Sequence, residues 1–374
     1  MKFRDIIGQS EVIGQVRDAI THGRLPHALM ITGPEGTGKL ALAQAITQYV
    51  NCLQPAEGDS CGRCSNCLKI QKGIHPDIRY VLPIVSKTEG GRRFLTEDYF
   101  QGFREQFFEN PYFSFSQWQQ LLDGDNKQLF ISVHEIRELK RNLNLKAFEA
   151  PYKVVIVWHA DKINVEGANA FLKLLEEPPD KTLIIMTCSD VSQLLPTINS
   201  RCQRLRLHRV IPDAIRDYLI TRHQLIPEMA ASMAAIAEGS PGQASLYLSE
   251  NTQSLSAQYM EWMRAAYSGN YQKISAEVEK LQTESKEYQK LFLQTAIRKL
   301  RDAFLYHVGL PQLALATEEE RGFQEKFSAF VSQDKVDKAV AELEDCIRQL
   351  SGNANSQMVF TALSLRLYGI MRAS

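Results

Sequence analysis

Eight residues, Gly33-Pro34-Glu35-Gly36-Thr37-Gly38-Lys39-Leu40, constrain this chain more than any other stretch. They follow the apolar run Ala28-Leu29-Met30-Ile31 by one residue and lead directly into the helix-like Ala41-Leu42-Ala43-Gln44-Ala45-Ile46. This is a P-loop in every defined position but the last. In a working loop, glycines let successive backbone N–H groups turn inward on phosphate oxygens and the lysine reaches the outer phosphates. A closing Ser or Thr hydroxyl then holds Mg²⁺. Here that position is Leu40, which has no oxygen. An ordinary strand-turn-helix is the bland alternative, but Lys39 in register, with a strand before it and a helix after, favours a phosphate cradle at Gly33, Gly36, Gly38 and Lys39.

A second position tests the same chemistry. The β-branched run Lys153-Val154-Val155-Ile156-Val157 suits the centre of a parallel sheet. In a P-loop ATPase such a strand ends in an Asp that supports Mg²⁺, usually followed by an acid that polarises the attacking water. Here those positions are Trp158 and His159. Two independent parts of the magnesium and water machinery are therefore missing.

Seven cysteines are present, four of them crowded: Cys52, then Cys61, Cys64 and Cys67 in overlapping CxxC spacing. Four thiolates fill a tetrahedral structural zinc site and leave no open position for water, so this cluster predicts a structural zinc and no catalysis. Free thiols on a loop are the alternative, and an oxidation liability. Cys188, Cys202 and Cys346 stand alone and read as packing residues. Lys+Arg and Asp+Glu are both 43, so no global charge draws the chain to nucleic acid. With no apolar segment near the ~20 residues of a membrane span, a cytoplasmic protein without membrane contact is expected.

Along the chain, strands alternate with helices, which predicts an α/β fold with a parallel sheet over 1–208. A zinc module interrupts it at 50–70 and an insertion at 84–130. The insertion is rich in aromatics, among them Tyr99, Phe103, Phe107, Tyr112, Phe113 and Trp118. With few cations among them, they read as a self-packed appendage that can be shortened without unfolding the sheet, rather than as a base-stacking surface. Residues 211–249 read as two short helices with a turn in which Ser240 is the N-cap and Pro241 the first helical residue. Beyond about residue 254 the period is helical throughout, and the charges of Glu318-Glu319-Glu320-Arg321 read as a solvated face.

Taken in order, Gly33–Leu40, the Cys61/Cys64/Cys67 insertion, Ala170-Phe171-Leu172-Lys173-Leu174-Leu175-Glu176-Glu177-Pro178-Pro179 and Ser200-Arg201-Cys202 resemble the clamp-loader branch of the AAA+ proteins. The motifs cover residues 1–250, and the remainder matches by its helical character. The resemblance implies a P-loop AAA+ parallel sheet (1–208), a helical lid (209–250) and an all-helical collar for oligomerisation (251–374). Motor subunits of that family end the P-loop in Ser or Thr, carry an Asp-Glu pair after the third strand, and have an arginine in the lid. This chain departs at Leu40, Trp158, His159 and Gly242. All four departures point to a non-hydrolysing subunit of a DNA polymerase III clamp loader, part of a polymerase holoenzyme, with weak or absent ATP/ADP binding.

Its implied partners are delta and gamma/tau subunits in a hetero-pentamer, with the sliding clamp and primer-template DNA reached through the complex. Arg201 of Ser-Arg-Cys is implied to act in trans on a neighbour's ATP; its bland reading is an exposed ion pair with Asp190 or Glu177. Two other readings stand beside this one: an active, ATP-hydrolysing motor subunit, and a zinc-bearing nucleic-acid-binding protein that reuses the fold.

Overall fold

Apolar runs without polar alternation form stable strands only where both faces are covered, and the three central strands of the sheet are built that way. The computed structural model describes residues 1–122, 128–144, 147–225, 227–249, 252–284, 286–314, 318–352 and 354–372. Five parallel strands, β1 (Ala28–Thr32), β2 (Ile78–Val81), β3 (Lys153–Val157), β4 (Thr182–Cys188) and β5 (Gln203–Arg206), stand in the spatial order β2-β3-β4-β1-β5. Met30 of β1 is registered between Met186 of β4 and Arg204 of β5. Strand alternation divides the core into two layers. Leu29, Ile31, Val154 and Ile156 pack with Leu42 and Ile46 on one face, while Ala28, Met30, Val155 and Val157 pack with Leu139, Phe171 and Leu174 on the other.

The chain divides into two compact units, Met1–Ser245 and Leu246–Ser374. After β5 come three helices, not two, Pro212–His223, Pro227–Ile236 and Pro241–Ser249, the last of them spanning the boundary at Ser245. The middle one was hidden because its small, mostly apolar residues Ala230, Ala231, Ala234 and Ala235 give no amphipathic stripe. Ser240 caps the third, accepting Gln243 N–H at 3.2 Å. The second unit is helical among its described residues, and Phe292, Leu293, Ala296 and Leu300 of the helix Lys286–His307 are buried within it. Glu320 is not on a solvated face: it is buried and ion-paired with the equally buried Lys299. A charge opposite it on another helix removes the solvation requirement that sequence periodicity assumes. Among the described residues no helix is long and apolar enough to cross a membrane.

The insertion corrects the expectation of a separate appendage. It holds a hairpin (Thr88–Glu89 with Arg92–Arg93) and the helices Thr96–Glu109 and Phe115–Leu121, while residues 123–127 lie outside the described residues. Phe103, Phe107, Phe113 and Trp118 belong to the same core as Leu42, Ile46 and Tyr80. The Phe113 ring stacks on Trp158 at 5.7 Å, and Trp118 Nε1 donates to Pro83 O at 2.7 Å. An indole at the end of β3 needs an apolar cover, and the insertion supplies it.

Candidate functional site

The P-loop forms as its glycines demand. Gly36 (φ 71°) and Gly38 (φ 94°) take left-handed conformations, and Lys39 opens the helix Lys39–Val50. Gly33, Gly36, Gly38 and Lys39 are thus brought together at the end of β1. Their interior contacts, however, come from the chain itself. Lys39 Nζ donates to Gly33 O at 2.8 Å and Pro34 O at 2.7 Å. Burial lowers its pKa from the ordinary lysine value to about 8, against the pull of Glu35 and Asp161. Gly242 N donates to Gly36 O at 3.0 Å, and Ser240 Oγ to Glu35 O at 3.0 Å. The Tyr112 ring lies against Gly38 so closely that a Cβ there would stand 2.8 Å from Cε1.

The positions that should serve magnesium and water are packed instead. Leu40 and Trp158 are buried in the apolar core. His159 is buried with φ 55°, its N–H donating to Thr187 Oγ1 at 3.0 Å. Its Nδ1 stands 3.6 Å from Asp161 Oδ1. Burial works against the Asp161 carboxylate, but His159 and the Ser189 N–H hold its pKa below the ordinary range. Positions 40, 158 and 159 therefore offer no side-chain oxygen to a metal or a water.

The four cysteines converge. Cys52 precedes the loop, Cys64 stands at the N-cap position of the helix Ser65–Gln71, and the sulfurs of Cys52, Cys61, Cys64 and Cys67 lie within 4.8 Å of one another. Cys61 and Cys67 sulfurs are 3.9 Å apart. Zn–S bonds of about 2.3 Å place tetrahedral sulfurs about 3.8 Å apart, so the donor set fits zinc. N–H groups already aim at sulfur: Cys61 N to Cys52 Sγ at 3.2 Å and Cys64 N to Cys61 Sγ at 3.4 Å. Cys188, Cys202 and Cys346 lie apart, free and at least partly buried.

Arg201 follows the short helix Pro196–Asn199 that ends the β4 connection. Its guanidinium is about one third exposed and pairs with Glu176, Nη2 to Oε1 at 2.6 Å and Nε to Oε1 at 3.0 Å. Nη1 donates to Thr197 O at 2.9 Å. The partner is thus neither Asp190 nor Glu177. Asp190 instead accepts Ser192 N–H at 3.0 Å within its own turn.

A protein-family model described as "DNA polymerase III, delta subunit" matches residues 8–210, more than half of the chain. The chain belongs to the DNA polymerase III delta-subunit family. Among its relatives, the DNA polymerase III subunit delta' of Bacillus subtilis is 30% identical over 60% of this chain and 55% of its own length. Subunit delta' of Escherichia coli is 27% identical over 92% of this chain and 90% of its own. Subunit gamma of Buchnera aphidicola is 24% identical over 58% of this chain and 48% of its own. Apart from the E. coli protein, this chain spans about half the length of these relatives. A gamma subunit-related protein of Thermotoga maritima is similar in structure at 16% identity, over 96% of this chain and 99% of that one, with a TM-score of 0.38.

In this delta-family chain, sequence reasoning brings the loop residues and the four cysteines together, but misses the Arg201–Glu176 pair and the Tyr112 and Gly242 contacts on the loop. Tyr112 carried no signal beyond its aromatic neighbours. Against the family pattern Gly242 stands out only as a missing arginine, although a glycine near the N-cap Ser240 also signals close backbone approach.

Proposed function

We propose that this chain is a subunit of the DNA polymerase III clamp loader that does not hydrolyse ATP itself and resembles delta' rather than gamma or tau. It helps place the sliding clamp on primed DNA as a fixed member of a hetero-pentamer with delta and gamma/tau subunits. The observation that carries this reading is the set of side chains at the magnesium and water positions, Leu40 and Trp158 buried in the apolar core and a buried His159. Arg201 is then the group that serves catalysis, reaching from this chain to an ATP held by a neighbouring subunit. Cys52, Cys61, Cys64 and Cys67 hold a zinc ion, which cross-links the module and supplies no chemistry. The chain's work is cytoplasmic, as that of a replication subunit.

The similarity to gamma and tau subunits favours a second reading, an ATP-hydrolysing motor. ATP turnover by the purified chain separates the two. No turnover above background is expected, since Leu40, Trp158 and His159 leave magnesium and water without their side-chain partners. Steady-state hydrolysis on the order of 1 per second by contaminant-free protein would give the motor reading the case.

A further inference from the structure

We infer that Tyr112 is a built-in plug that takes the place of a nucleotide, separating a ligand-sized cleft from the P-loop. The inference rests on reading Gly33–Leu40 as a nucleotide loop the chain no longer uses, and it adds which residue keeps the ligand out. Three observations carry it. First, the Tyr112 ring sits against Gly38, at the turn where P-loop amides open toward a phosphate. Second, its hydroxyl accepts the buried Ile7 N–H at 2.8 Å. A buried amide without an acceptor is costly, so a molecule displacing the tyrosine would have to offer Ile7 an acceptor, as a ring nitrogen of a nucleobase does. Third, Tyr112 also lines a cleft of about 700 Å³ together with Arg4, Asp5, Asp217, Tyr218 and Arg222, a volume within the range of small-molecule sites.

Tyr112 thus belongs to both places, and its ring is what divides them. It is held from the lid side as well: its ring meets Tyr218 edge to face at 5.7 Å. The Tyr112 carbonyl is in turn close against Gly242, whose N–H is bonded to Gly36 O. The insertion, the lid and the loop therefore touch one another directly at Tyr112, Gly242 and Gly36. Removing the ring should join the cleft to the loop and leave Ile7 N–H and the amides of the loop facing one space. The class of ligand is a nucleoside diphosphate or triphosphate, held without magnesium because position 40 is leucine.

The test measures binding of a fluorescent ADP analogue to the full chain in EDTA. The parent chain should bind weakly, and Tyr112→Ala should bind about tenfold or more tightly. Adding Lys39→Ala to Tyr112→Ala should remove the gain, which places the ligand on the loop. A folded Tyr112→Ala chain that binds no better than the parent overturns the inference, as does a parent that already binds as tightly. Should Tyr112→Ala not fold, Tyr112→Phe decides. It keeps the ring, so nucleotide binding should stay at the parent level, while deuterium uptake in the peptide holding Ile7 should rise because the amide has lost its acceptor. Unchanged uptake there, or a gain in nucleotide binding, overturns the inference. Assembly with other clamp-loader subunits and the effect of Arg201→Ala on the complex test the functional reading separately, and neither depends on these outcomes.

Discussion

Gly242 has no room for a side chain: a Cβ there would stand 2.5 Å from Tyr112 O and 2.8 Å from Gly36 Cα. Both neighbours are backbone atoms, which cannot swing aside as a flexible side chain would. Gly242→Ala should therefore cost ~1–3 kcal/mol, the range of overpacking in a well-filled site. Gly14 makes the control, since it lies in the helix Ser10–Thr21 with nothing within 4 Å of its Cβ position. Gly14→Ala should stabilise by ~0.5–1 kcal/mol because the chain loses less entropy on folding. Urea unfolding of the two variants should move in opposite directions, and a shared direction would mean that the P-loop and the turn at Gly242 are not in contact. At this scale the sequence was readable where a residue's role is local. Lys39, Leu40 and the N-cap Ser240 could all be placed from their immediate neighbours. The second bond of Ser240, to Glu35 O, spans 205 positions, and no local pattern encodes it.

Most strands and helices of the sheet were readable because each is one apolar run or stripe of the right length, and β5, Gln203–Arg206, only by its alternation. The insertion was not, although its helical period was. An i, i+4 aromatic stripe such as Phe103 and Phe107 says that a face is buried but not which surface buries it. Its cover is Trp158, the residue standing where an ATPase strand would carry an acid, so the side chain at that position is the one that seats the insertion. Trp118 is fully buried in that cluster, and Trp118→Ala should destabilise the first unit by ~3–5 kcal/mol. A loss under ~1 kcal/mol, measured by denaturation, would return the insertion to the status of an appendage. The cysteine module makes the opposite prediction, because its contribution comes from cross-linking and not from an apolar core. Purified without chelator, the chain should carry one zinc by elemental analysis. Cys64→Ser should lose that metal and speed hydrogen exchange across residues 50–70, while β1 stays protected. Metal-free parent protein, or unchanged exchange in the variant, would contradict the assignment.

For the whole molecule the question is what Arg201 does at the far end of the sheet from the P-loop, since it stands just before β5 while the loop follows the parallel β1. Within the chain Arg201 has an adequate local explanation, its pair with Glu176 at 2.6 Å. That pair is half in solvent, so it contributes only ~0.2–1 kcal/mol, and a salt change or a stronger anion can break it. A phosphate offers the same guanidinium more oxygens and more charge than one carboxylate, so the pair with Glu176 does not bar the role proposed for Arg201. The two explanations separate when the pair is broken from each side in turn. If the ion pair is the whole role, Arg201→Ala and Glu176→Gln should have equally small effects on stability and none on an assembled clamp loader. If Arg201 acts across an interface, both chains should still fold and assemble, but only Arg201→Ala should lower the DNA-stimulated ATPase. The site that Arg201 faces should slow by roughly 10³–10⁵, while sites elsewhere in the ring keep their rate. Arg201→Lys should not rescue it, since an ammonium lacks the planar fork of donors, and Glu176→Gln should keep the parent rate because the arginine remains free to reach the phosphate. Equal ATPase rates for the parent and Arg201→Ala complexes would reduce Arg201 to a surface ion-pair residue and remove the trans-acting role from this chain.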